Sequence, residues 1–131
     1  MKFLGIQKLA PAFVLGAAAV VASSFAAHAE VPEKITSPSF SCAKAKPGTI
    51  DKVICASGEL STLDREMAQS YERAKAAIPR AVWTEFLAEQ RAFIASRNQC
   101  MGGKEKRHAC IAFAYEARIL RLEEWIDGSA Y

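Results

Sequence analysis

Four cysteines, and where they fall, constrain this chain more than any other feature. Cys42, Cys55, Cys100 and Cys110 all lie after a short apolar run, Phe13-Val14-Leu15-Gly16-Ala17-Ala18-Ala19-Val20-Val21-Ala22. Lys2 and Lys8 precede that run, and small residues ending in Ala27-His28-Ala29 follow it. A positive start, an apolar middle and an A-x-A site make a secretory signal peptide, expected to be cleaved after Ala29. The run is shorter than the roughly 20 residues of a membrane span, so no stable membrane anchor is expected after cleavage. The cysteines therefore reach an oxidising compartment, periplasmic or extracellular, and an even count in a small exported domain reads as two disulfides.

The rival reading of the cysteines is a structural zinc site, with His108 as a further ligand. No C-x-x-C pair supports it, and no cofactor or metal is expected. Four cysteines allow three connectivities, and sequence alone leaves them open. The two local ones, Cys42–Cys55 and Cys100–Cys110, are preferred, each stabilising by roughly 2–3 kcal/mol in the chain-entropy model.

Cleavage also changes the charge. Residues 1–29 carry Lys2, Lys8 and no acid, so the remaining chain holds 15 basic and 14 acidic side chains, a net charge of +1 rather than +3. The basic balance is thus partly the leader's, and no nucleic-acid partner is expected. The run Lys104-Glu105-Lys106-Arg107-His108 reads as a solvated helix start.

Residues 30–39, with Pro32 and Pro38, read as a flexible tail. After Pro47-Gly48-Thr49, the segment Ile50–Cys55 reads as one or two helical turns. Ser57 then caps a longer helix with apolar residues at Leu60, Leu63, Met67, Tyr71, Ala74 and Ile78. Beyond Pro79, Val82, Trp83, Phe86, Leu87, Gln90, Phe93, Ile94 and Arg97 repeat the period to about Asn98. A last helix runs from about Glu105 to Ile126 on an inner stripe of Ile111, Tyr115, Ile119, Leu122 and Ile126. The expected fold is all-α: a small antiparallel bundle of three main helices plus a short N-terminal helical turn, stapled by two disulfides. The domain spans 40–127, with 128–131 a C-terminal tail.

No catalytic constellation stands out. His108 is the only histidine after cleavage, and nothing places it with a nucleophile and an orienting acid. The carboxylate pairs Asp64/Glu66, Glu85/Glu89 and Glu123/Glu124 read as solvated faces rather than a glycosidase pair. Asp64, Gln90, Arg91, Arg97 and Arg118 differ, because they fall on or beside apolar stripes. Asp64 is expected to pair with Arg91 or Arg97 and set the packing register.

At these residues the chain resembles the LprI family of bacterial lysozyme inhibitors, over roughly Phe40 to Leu122. The resemblance is carried by Ser39-Phe40-Ser41-Cys42-Ala43-Lys44-Ala45, Ile54-Cys55 and Glu59-Leu60-Ser61-Thr62-Leu63-Asp64-Arg65-Glu66-Met67 with Tyr71. It continues in Gln90-Arg91-Ala92-Phe93, Arg97-Asn98-Gln99-Cys100, Cys110 and Tyr115-Glu116-Ala117-Arg118-Ile119. The chain departs from the family at Ser41, where an acid is common, and at Phe93, where tryptophan is common. The resemblance implies an exported, non-enzymatic, disulfide-bonded helical domain that binds a lysozyme or another envelope protein. A structural or stress-related periplasmic module is the other function expected of such a domain. C-type lysozymes are basic, so local acids on the first long helix, Glu59, Asp64, Glu66 and Glu72, are the expected partner contacts.

Overall fold

The computed structural model describes residues 37–131, and the expected leader and most of the expected tail lie outside them. Among the described residues four α-helices follow one another: α1 (Ile50–Cys55), α2 (Gly58–Ala77), α3 (Trp83–Gln99) and α4 (Arg107–Asp127). Short 3-10 turns at Cys42–Lys44, Arg80–Val82 and Cys100–Gly102 punctuate them, and no strand occurs among the described residues.

Each boundary has a local cause. Gly48 takes a positive φ of 78°, a conformation costly for residues with a Cβ, and turns the chain into α1. Six residues make too short a helix to stand alone. Two ties hold α1: the Cys42–Cys55 disulfide and fully buried Ile54, whose carbonyl accepts the Ser61 hydroxyl at 2.9 Å. Ser57 caps α2 by accepting the Leu60 N–H at 3.2 Å. Ile78, preceding Pro79, is extended and ends α2, as sterics before proline require. Gly128, at φ 85°, closes α4 in the left-handed conformation. The second disulfide, Cys100–Cys110, joins the exit of α3 to the first turns of α4. Both bridges are the local pairings preferred from the sequence.

Contacts between helices fix their directions. Ser57 meets His108, Asp64 meets Tyr115 and Ser70 meets Glu123, so α2 and α4 run parallel. Arg97 meets Tyr115, Gln90 meets Arg118 and Glu89 meets Trp125, so α3 runs antiparallel to α4. The bundle is therefore up-down-up.

Its core is Ile54, Leu60, Met67, Phe86, Phe93, Ile111, Tyr115, Leu122 and Trp125. Aromatic rings hold the end near Trp125: Tyr71 stacks on Phe86 at 5.1 Å, and Trp125 meets Phe86 edge-on at 5.5 Å. The inner stripe of α4 differs from the expected one. It runs through Arg118 and Trp125, which are buried, while Ile119 and Ile126 are only partly buried. Ser37–Ser39, at the end of the expected tail, make specific bonds: the Arg65 guanidinium donates to the Ser37 carbonyl, and Pro38 is buried.

Candidate functional site

The centre of the bundle is a buried polar relay. The Tyr115 hydroxyl donates to Asp64 Oδ1 at 2.7 Å and accepts from Arg97 Nη1 at 2.9 Å. The other Asp64 oxygen accepts both the backbone N–H and the hydroxyl of Ser39, at 2.7 and 2.6 Å. Burial raises the pKa of the Tyr115 hydroxyl, Arg97 opposes that rise, and the bond to Asp64 adds to it. The hydroxyl is therefore a fixed donor, not an acid.

This corrects two expectations. Asp64 does not pair directly with an arginine: Arg97 reaches it only through Tyr115, and Arg91 lies exposed on the outer side of α3. Nor is Asp64 a partner contact, since it is 2% exposed and both its oxygens are occupied. Glu59, Glu66 and Glu72 are exposed, with Glu72 bound to Lys75 at 3.2 Å.

A second cluster was hidden in the sequence. Glu89, read there as part of a solvated face, accepts Arg118 Nη1 at 2.9 Å, Trp125 Nε1 at 2.8 Å and a fork of bonds from Arg121. Burial pushes its pKa up, but the bonds from Arg121, Trp125 and Arg118 together outweigh that and hold it at about 2. Arg118, 5% exposed, also donates from Nε to Gln90 Oε1 at 2.9 Å and lies over the Phe86 ring. Gln90 in turn reaches the Met67 sulfur. The available signal was Arg118 itself: an arginine three residues after Tyr115 and four before Leu122 needs a carboxylate from another helix.

Glu89 is not placed to act as an acid, and both Asp64 oxygens are engaged within the relay. A carboxylate held ionised down to about pH 2 is not a general acid at neutral pH. His108 comes within 3.0 Å of Ser57 Oγ and 3.6 Å of Glu59, but both contacts use Nε2. In a triad the carboxylate holds the opposite ring nitrogen. Ser57 Oγ is moreover the cap of α2. Among the described residues no group of three His, Cys, Asp or Glu side chains is placed to hold a metal.

The surface is more informative. A groove of about 510 Å³ runs between α3 and α4, lined by Ala92, Phe93, Phe113, Ala114, Ala117 and the Cys100–Cys110 bridge, with Glu89, Arg118 and Arg121 at one end. Phe113 and Leu120 on α4 are 72% and 69% exposed, large apolar side chains that the described residues leave uncovered.

A family model described as lysozyme inhibitor LprI matches residues 42–122. The chain belongs to the LprI family. Comparison with curated proteins and with solved structures found no match. The stretch matching LprI contains all four cysteines and Asp64, Tyr71, Gln90, Arg97, Tyr115 and Arg118. Ser39 and Trp125, which complete the two polar clusters, lie outside it.

Proposed function

We propose that this LprI-family chain is an exported, non-enzymatic domain that binds and inhibits a lysozyme, protecting the cell envelope from peptidoglycan hydrolysis. The observation that carries the reading is the family match, which spans both disulfides and most of the helical core. Two disulfides in a small domain fit a periplasmic or secreted location, as does the leader expected over residues 1–29. No helix among the described residues is long and apolar enough to cross a membrane.

The polar clusters serve this function as scaffold. They lock the three long helices in one register, so that a partner meets a surface already in its binding shape and little ordering entropy is lost on association. The small net charge gives no long-range attraction to a basic target, so recognition rests on local surface chemistry.

The test is a titration of the purified, oxidised, exported chain into a C-type lysozyme digesting cell-wall substrate. A fall in hydrolysis that saturates at a fixed molar ratio is the expected result. Undiminished hydrolysis at large molar excess would overturn the reading.

A further inference from the structure

Resting on the lysozyme reading, we propose that the partner docks on the outer face of α4 and the groove beside it, with Phe113 as the anchor, rather than on the acids of α2.

The helical period places Phe113, Ala117, Leu120 and Glu124 in one line along α4, opposite the side that packs Tyr115 and Leu122 into the core. Phe113 and Leu120 stand as two apolar knobs, and Ala117 leaves a notch between them. From Phe113 the groove continues inward over Ala114 to Phe93 and the Cys100–Cys110 bridge. A small domain gains nothing in stability from exposing two large apolar side chains about two helical turns apart on one face. Aromatic anchors beside concave apolar surface are the usual centre of a protein interface.

Charge identifies the occupant. Glu116 and Glu124 flank Leu120 on α4, and Glu85 stands one turn before groove-lining Glu89 on α3; all three are exposed. The cations at this end, Arg118 and Arg121, are held by Glu89 and Glu124, which leaves Glu85 and Glu116 as the acids of the rim with no ion-pair partner among the described residues. The Leu120 end thus presents apolar surface with an acidic rim, complementary to a basic protein that carries apolar groups between its cations. The basic run Lys104–Arg107 lies at the other end, before Cys110. The acids of α2, Glu59, Glu66 and Glu72, have no large exposed apolar side chain on their own helix to serve as a centre.

Three variants test the face: Phe113→Asp, Leu120→Asp and Ala117→Arg. Because these side chains lie outside the core, helical content and thermal midpoint should stay those of the parent chain. Each is expected to weaken lysozyme inhibition about tenfold or more, as loss of an interface anchor does. Glu116→Lys is expected to slow association and reduce its dependence on salt. A triple variant, Glu59→Gln with Glu66→Gln and Glu72→Gln, should inhibit like the parent. If the parent chain inhibits and the three α4 variants inhibit equally, the face is wrong while the lysozyme reading stands. Absence of inhibition by the parent chain overturns both. A parent dimer that Phe113→Asp converts to monomer, with inhibition unchanged, overturns the proposal by giving the face to a second copy of the chain.

Discussion

Asp64 shows what one residue contributes. Its carboxylate is buried and accepts three hydrogen bonds, from the Ser39 N–H and hydroxyl and from Tyr115. Asp64→Ala leaves those donors and the Arg97 charge uncompensated, and should cost about 3 kcal/mol in urea unfolding. Tyr115→Phe keeps the ring in the core and removes the bridge, so about 1–2 kcal/mol is expected. A loss under about 0.5 kcal/mol for Asp64→Ala would place it among surface substitutions instead. Glu89 leaves a different trace. Its folded pKa is about 2 against the usual 4.5, so its contribution is fully present above pH 4.5 and drains away as the pH falls towards 2. Glu89→Gln should therefore be less stable than the parent at pH 7, the difference shrinking across that window in unfolding curves taken at successive pH values. Asp64 stood out in the sequence because it sits beside an apolar stripe. Glu89 did not, because its partners Arg118, Arg121 and Trp125 lie on another helix.

At the scale of elements, signals that act over a few residues were readable and those that depend on a neighbour were not. The Ser57 cap, the stop before Pro79 and the Gly128 end of α4 all follow from nearby residue types. Gly128→Ala forces a Cβ into the left-handed conformation and should lower stability by about 1 kcal/mol. Thermal unfolding will show this, and an unchanged midpoint would mean the α4 end tolerates the strain. The inner stripe of α4 was legible only in part. Following apolar letters leads to Ile119 and Ile126, yet the packed face turns through Arg118 and Trp125. An arginine is excluded from a stripe read by apolarity, but its charge is tolerated inside once Glu89 meets it. The same period that puts Ile111 and Tyr115 inside turns Phe113 outward; what it does not give is how much of the ring the neighbouring helices cover, which the structure leaves 72% exposed.

For the whole molecule, the two disulfides close the bundle at the end where α1, α2 and the start of α4 meet. Replacing Cys42 and Cys55 together by Ala should lower stability by roughly 2–3 kcal/mol through the freed unfolded chain. In a domain of this size that is roughly 10–20 °C in thermal midpoint, and reduction of both bridges should exceed it. A reductant that leaves the midpoint unmoved would show that helix packing alone sustains the fold. The sequence by itself determined the helical class, the helix ends and a cysteine spacing suited to local bridges, because capping, proline sterics and helical periodicity act within a few residues. Only the tertiary structure decided that Asp64 reaches Arg97 through Tyr115, that Glu89 gathers two arginines and a tryptophan, and that the described residues leave Phe113 and Leu120 uncovered. Those outcomes join or separate residues far apart in the chain. They depend on the rotation and register of whole helices, which the packing of the complete core selects and no short stretch encodes.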